Sequence, residues 1–303
     1  MIDFIGDIHG HADELEELLL KLGYKKIAGV YVHPTRKVLF VGDYIDRGPK
    51  IRETLQIVRA MVKSGNAIAL MGNHEYNALC FNFEDPKGGH LRKHTVQNIL
   101  QHCKTLKAFE GFKDEYLDYI DWFKTLPLYY ETDNFKAVHA CWDNNNIEFL
   151  RKTLVKDKLT DELIYESVKK GTALNEAIEQ TLKGKEMQMP KGLCFKDKDN
   201  NNRTEFRIKW WEDPSKMTYK SISVLPLEIL PEHPIPLEEY KPLDFYSAAD
   251  KMVFFGHYWL QGEPSLYKDN ICCIDYSIAK EGKLVAYRLD GESNLESGNL
   301  IYV

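Results

Sequence analysis

Three short apolar runs, each ending in a glycine-flanked polar cluster, constrain this chain more than any other feature. Ile2–Ile5 runs into Gly6-Asp7-Ile8-His9-Gly10. Val38–Val41 runs into Gly42-Asp43-Tyr44-Ile45-Asp46-Arg47-Gly48-Pro49, and Ala67–Met71 into Gly72-Asn73-His74-Glu75. Runs this short, rich in β-branched and aromatic residues, read as buried strands. Between them, Asp13–Leu22 carries Leu15, Leu18, Leu19 and Leu22 on one helical face before Gly23, and Ile51–Lys63 places Ile51, Leu55, Val58 and Val62 in the same register. The order strand–helix–strand–helix–strand predicts an α/β sheet with parallel pairings. Ligands of such sheets collect at the carboxyl ends of the strands, where these clusters fall. Two later runs also end in histidine: Phe135–Val138 at His139, and Met252–Phe255 at Gly256-His257.

The remainder reads differently. Helical spacing extends over Leu91–Phe109 and Asp114–Leu126, with Pro127 closing the second. From about Asn144 to Glu239 the strand pattern lapses: Thr160–Leu182 reads as one helix, followed by a polar loop over Lys196–Arg203 and a proline-rich connection. The expected organisation is a single domain over residues 1–303, with a largely helical insertion or cap at about 144–246. Strand patterns resume at Met252–Phe255, Ile271–Ile274 and Leu284–Leu289. A chain of 303 residues can bury a full core without disulfides. The six cysteines form no C-x-x-C pair and read as reduced thiols. No apolar stretch approaches the roughly 20 residues that span a bilayer, and Met1 leads directly into a strand, so the expected location is cytoplasmic, with no membrane association. A net charge of −6 argues against a stable nucleic-acid partner, since duplex binding is driven by cationic neutralisation of phosphates.

The clusters themselves are chemically specific. Asp7 and His9 stand two apart, so extended backbone directs both to one face. With Asp43, Asn73, His139 and His257 they offer carboxylate, amide and imidazole donors, a mixture suited to Mn²⁺, Fe or Zn²⁺ rather than Ca²⁺. A carboxylate can bridge two ions, and two such ions can activate water and stabilise both oxygens of phosphoryl transfer. Arg47 offers a planar fork for phosphate oxygens. His74, next to a candidate ligand, suits a general acid, with Asp46 as its orienting carboxylate.

The set GDIHG at 6–10, GDYIDRGP at 42–49, GNHE at 72–75, VHA at 138–140 and GHY at 256–258 resembles the calcineurin-like metallophosphoesterases. Asp46-Arg47-Gly48 and Glu75 resemble the phosphoprotein phosphatase branch, and Pro49 its bacterial diadenosine-tetraphosphatase-like members. The resemblance implies a β-sandwich of two mixed sheets flanked by helices. It implies that Asp7 and His9 bind one divalent metal ion, that Asp43 bridges, and that Asn73, His139 and His257 bind the second, with Mn²⁺ the first choice. It further implies that His74 and Asp46 form the acid pair, that Arg47 binds phosphate, and that a second arginine follows the fourth motif. Arg203 and Arg207 are the candidates, and Arg207, preceding the apolar stretch Ile208–Trp211, is favoured. Ala140 and Cys141 follow His139 where eukaryotic protein phosphatases carry two glycines, which sets this chain apart from them.

The expected activity is hydrolysis of a phosphate ester or nucleotide phosphoanhydride, on a phosphorylated small molecule or nucleotide. A phosphoprotein substrate and a silent metal-binding regulatory module are the alternatives. His11, His33, His90, His94, His102 and His233 read as surface or structural residues, with His11 closest to the site mouth. Trp210-Trp211 can stack on a nucleobase, but core packing is the stronger expectation. Tyr44 and Tyr76 likewise read as packing residues.

Overall fold

The computed structural model describes residues 1–196, 202–240 and 243–303. Two mixed sheets organise it. In the first, the described strands run in the order Asp275–Tyr276, Lys283–Leu289, Ile2–Ile5, Lys37–Phe40, Ala67–Ala69, with Leu300–Tyr302 also paired to Lys283–Leu289. In the second, the order is Ile271–Cys273, Met252–Phe255, Phe135–Val138, Tyr129–Glu131. Ile2–Ile5, Lys37–Phe40 and Ala67–Ala69 pair in parallel, as do Phe135–Val138, Met252–Phe255 and Ile271–Cys273. Parallel neighbours end at the same sheet edge. The polar clusters that follow the strands are therefore brought side by side.

Alternation along each strand assigns its residues to two cores. Phe4, Leu39, Ala137, Phe254, Cys272, Val285 and Tyr287 point between the sheets. There Phe4 stacks on Phe254 at 3.6 Å and meets Phe135 edge-on at 5.0 Å. Ile5, Val38, Phe40, Val138, Val253, Phe255 and Ala286 point outward, where helices cover them. Helix α1 (Ala12–Lys21) buries Leu15, Leu18 and Leu19 and ends before Gly23, whose φ of 88° the left-handed region reserves for such stops. Helix α2 (Ile51–Lys63) buries Ile51, Leu55, Val58 and Met61, with Val62 at the margin of that face. The result is the expected sandwich of two mixed sheets between helices.

Helix α3 (Asn73–Asn82) grows directly out of the third cluster. Helix α4 (Val96–Ala108) starts five residues later than the periodicity predicts, because the Thr95 side chain accepts the Asn98 N–H at 3.3 Å and caps it. Helix α5 covers Lys113–Phe123. After α6 (Asn144–Thr153), the single helix expected over Thr160–Leu182 is two, α7 (Asp161–Ser167) and α8 (Ala173–Lys183). Gly171 at φ 80° breaks the run and Thr172 caps α8.

The second half of the middle segment, which the sequence reads as a polar loop and a proline-rich connection, also carries short paired strands. Glu186–Gln188 pairs with Glu205–Arg207, and Phe195–Lys196 with Asn202–Arg203. Strands of two or three residues are too short to announce a period of two. A separate core of Met187, Phe206, Ile208, Tyr219, Ile222 and Leu230 holds this part together. The polar loop expected at Lys196–Arg203 lies outside the described residues over 197–201. Among the described residues no helix is long and apolar enough to cross a membrane.

Candidate active site

The first two clusters are joined by backbone. Ile8 and His9 N–H groups both donate to Asp43 O (3.1 and 2.9 Å), Gly10 N–H to Tyr44 O, and Gly48 N–H back to His9 O at 2.8 Å. These bonds hold several non-glycine residues at positive φ: His9 48°, Asp43 55°, Asp46 67° and Arg47 65°, and His257, its N–H held by Asp7, joins them at 74°. Such backbone costs roughly 1–3 kcal/mol per residue and persists only where the surroundings over-determine it. Here the unusual turns aim the side chains. Asp46 faces helix α4, and Arg47, one residue on, faces Trp259.

Glu75 does much of the holding. Its carboxylate accepts from the N–H groups of Asp43 (2.9 Å), Tyr44 (2.8 Å), Ile45 (3.3 Å) and Gly72 (3.0 Å). It is fully buried, and burial followed by the Asp43 charge pushes its carboxyl up to about 8 while the backbone donors pull it back. The close approach needs Gly72, since a Cβ there would overlap the Asp43 carboxylate. Gly256 plays the same part for Asp7.

Asp43 stands at the centre. Its Oδ2 faces His9 Nε2 at 3.5 Å, and its Oδ1 faces His139 Nε2 at 3.5 Å and accepts the His74 N–H at 2.9 Å. One carboxylate thus turns one oxygen to each side. His9, Asp43 and His74 form one group of donor atoms within 4.8 Å of one another, and Asp43, His139 and His257 form another. Asn73 Oδ1 joins the second, 3.0 Å from His139 Nε2 and 2.8 Å from His257 Nδ1. Ring orientation is set from outside. His9 Nδ1 bonds Ile45 O at 2.8 Å and His139 Nδ1 bonds Val41 O at 2.9 Å, so each turns Nε2 inward. Asp7 lies alongside, its carboxylate accepting the His257 N–H at 3.1 Å.

The electrostatics favour a cation. Burial, then the His74 charge, lowers His9 to about 3. Burial, then Arg207, lowers His257 well below its usual value. Both imidazoles are thereby held neutral, as metal ligation requires. Burial opposes ionisation of Asp43, but His139, His74 and His9 outweigh it and hold its carboxyl at about 2. Burial, with Asp275 and Asp43, pushes Asp7 up. His9 Nε2 and His257 Nε2 are buried without a hydrogen-bond partner. Orphaned neutral imidazoles around the Asp43 carboxylate fit a divalent metal ion.

His74 stands at the rim. Its Nδ1 donates to Asp46 Oδ2 at 2.5 Å, and its Nε2 lies 3.3 Å from Arg47 Nη2. Burial would lower its pKa, but the Asp43 charge and the Asp46 hydrogen bond overcome this and raise it. Asp46 Oδ1 in turn accepts from His102 Nδ1 (2.8 Å) and Thr105 Oγ1 (2.6 Å), and Tyr116 OH donates to His102 Nε2 at 2.9 Å. From sequence, His102 reads only as a surface or structural histidine. No local signal marks it: His102 and Thr105 share one face of α4 and are that helix's buried residues, but only their partner Asp46 makes that burial intelligible.

Elsewhere the placements vary. The Arg207 charge is felt at His257, although the side chain is about a third exposed and also reaches toward Glu186 at 3.9 Å. Arg203 sits on an exposed strand paired with Phe195–Lys196. Trp210 and Trp211 are buried in the core at 2% and 0% exposure, with Trp210 Nε1 donating to Ala140 O, so neither offers a face to a base. His11 lies at the mouth, 3.5 Å from Glu14. Tyr44 OH donates to Leu70 O, and Tyr76 OH pairs with Ser167 Oγ at 2.7 Å, both as packing residues.

The calcineurin-like phosphoesterase family model matches residues 1–258, which spans all five clusters. The chain belongs to that family. Among calcineurin-like phosphoesterases it is similar to bis(5'-nucleosyl)-tetraphosphatase PrpE [asymmetrical] of Oceanobacillus iheyensis, 35% identical over 140 residues, covering 46% of this chain and 54% of that one. It is also similar to the symmetrical bis(5'-nucleosyl)-tetraphosphatase of Neisseria meningitidis, 32% identical over 137 residues, covering 45% and 41%. The chain therefore spans about half the length of these curated relatives. A crystal structure of a putative diadenosine tetraphosphatase aligns over 100% of this chain and 92% of that one, with TM-score 0.46 and 17% identity. The family is one of metal-dependent enzymes, in keeping with the donor groups around Asp43.

Proposed function

We propose that this chain is a dinuclear metal-dependent hydrolase of phosphate esters or nucleotide phosphoanhydrides, with a nucleotide as its preferred substrate class. The observation that carries it is the buried Asp43 carboxylate, one oxygen toward His9 and the other toward His139, with an acid pair and an arginine at the rim. Asp7, His9 and Asp43 would hold one ion, and Asp43, Asn73, His139 and His257 the other. Bound ions would supply an activated water and neutralise charge on the phosphoryl oxygens. Mn²⁺ is the first choice, with Fe or Zn²⁺ compatible with the donors.

The chain's own residues do the rest. Arg47 holds the phosphoryl oxygens through its guanidinium fork. His74, kept protonated by Asp46 and Asp43, delivers a proton from Nε2 to the leaving oxygen. Arg207 offers a second cation from the middle segment. That segment, residues 144–246, acts as a cap that controls access. In support, its two ends meet: Asn145 donates to Asp244 at 2.9 Å, and Lys185 pairs with Asp143 at 2.6 Å and donates to Asp244 O. The position after His139 supports a nucleotide over a phosphoprotein. Ala140 is fully buried beneath the middle segment, its N–H on Thr181 O and its carbonyl under Trp210. The expected cytoplasmic location is part of this proposal, supported by Cys272 and Cys273, free thiols in the core.

The test is hydrolysis of p-nitrophenyl phosphate and diadenosine tetraphosphate with Mn²⁺, beside an Asp43→Asn variant. Turnover lost in the variant supports the reading, and preference for the tetraphosphate supports the substrate class. Metal-loaded protein inert toward both compounds would overturn it.

A further inference from the structure

Trp259 and Lys280, beside the cluster around Asp43, have no use in the reaction as described. Trp259 is half-buried at the site mouth, two residues after His257. The Arg47 guanidinium carbon lies 3.8 Å from its ring centroid, and Lys280 Nζ lies 4.0 Å from the same centroid. Two cations on one indole is a costly arrangement unless something anionic joins them. Cation–π attraction is worth only about 0.5–2 kcal/mol, and like charges repel. Among the described residues neither cation has a carboxylate within ion-pair distance, and Arg47 Nε is buried without a hydrogen-bond partner. Burial and the Arg47 charge together lower the Lys280 pKa, against the opposing pull of the buried Asp275 carboxylate, which lies beyond ion-pair distance.

The arrangement is built rather than incidental. Asp275, 3% exposed, accepts the Trp259 N–H at 2.7 Å with one oxygen and the Ser277 N–H at 3.0 Å with the other. The first bond fixes the backbone of the indole. The second fixes the start of the short turn Ile278–Lys280 that carries the ammonium. A single buried carboxylate thus sets both partners, while Arg47 is set independently by the positive-φ turn at Asp46-Arg47. Beside them opens a cavity of about 350 Å³ bordered by Arg47, Pro49, Ile278, Ala279, Glu14 and Glu281. Its apolar stretch of Pro49, Ile278 and Ala279 beside Glu14 and Glu281 suits an uncharged, hydroxyl-bearing group.

We propose that Arg47, Trp259 and Lys280 form a subsite for the phosphates beyond the scissile one, with the adjoining cavity taking the nucleoside at their end. The proposal rests on the phosphohydrolase reading above and names what it selects: a polyphosphate chain over a lone phosphoryl group. Arg47 serves both positions, because it lies between His74 and the indole. Lys280 then contributes to binding without touching the reacting atoms.

The experiment compares Lys280→Gln and Lys280→Arg with the parent chain, all loaded with Mn²⁺. KM and kcat are measured for diadenosine tetraphosphate and p-nitrophenyl phosphate, and inhibition of the latter by inorganic tripolyphosphate and by orthophosphate. Lys280→Gln is expected to raise KM for the tetraphosphate and Ki for tripolyphosphate about tenfold, the size of one lost charge-assisted hydrogen bond. The p-nitrophenyl phosphate constants and orthophosphate Ki stay within about twofold, and Lys280→Arg restores tight binding. Equal effects on mono- and polyphosphates, or none on either, overturn the subsite. If the parent chain turns over p-nitrophenyl phosphate but not the tetraphosphate, the nucleotide reading fails, and the tripolyphosphate arm still decides the subsite.

Discussion

His74 and Asp46 show how a single contact sets chemistry. An imidazole buried beside a potential metal site would ordinarily lose its proton, because desolvation disfavours the charged form. The Asp43 charge and the Asp46 hydrogen bond reverse that and raise the pKa. The protonated acid therefore persists to higher pH than for a free histidine, and activity is lost as pH climbs through the raised value. Asp46→Asn removes one of the two stabilising charges. Its alkaline limb should move to lower pH, with kcat reduced about a hundredfold or more. A pH–rate profile of Asp46→Asn with an unmoved alkaline limb would remove His74 from the acid role.

Helix α4 is an element whose buried face is polar. His102 and Thr105 are buried, while Val96, Ile99 and Leu100 on the same helix are exposed. An ordinary amphipathic helix does the reverse. The explanation is Asp46: both side chains donate to its Oδ1, and Tyr116 from α5 fixes His102 in turn. This helix thus fixes the orientation of Asp46, and through it of the proposed acid His74. His102→Ala should lower kcat for p-nitrophenyl phosphate roughly tenfold, as expected for loss of a hydrogen bond to a charged group, with KM within twofold. A change confined to KM, or to thermal stability alone, would make α4 a packing element only. Periodicity could not reveal this role, since it reports where apolar residues go and α4 turns its apolar residues outward.

At the scale of the whole molecule, the Asp43 site links two sheets, so a metal ion bound there would couple to folding. His9 and Asp43 follow strands of one sheet, His139 and His257 strands of the other. A ligand that binds only the folded chain at a hundred times its Kd stabilises it by about 2.7 kcal/mol. Added Mn²⁺ should therefore raise Tm by several degrees, and a chelator should reverse the rise. Asp43→Asn should abolish most of it. A Tm indifferent to Mn²⁺, Fe²⁺ and Zn²⁺ would refute a metal site there.

The parallel strand–helix core and the candidate donors at the strand ends were legible in the sequence. They were legible because alternating burial, helix stops and ligand types are local properties of short segments. The tertiary structure decided what depends on contacts across tens or hundreds of residues. Glu75 tying down the 43–45 backbone, His102 orienting Asp46, and Asp275 setting Trp259 and Lys280 all required the packed chain. The same holds for the two tryptophans, whose burial against Ala140 no local pattern encodes. A buried polar residue carries no signature in its own neighbourhood; its partner makes its position intelligible, and only folding brings that partner near.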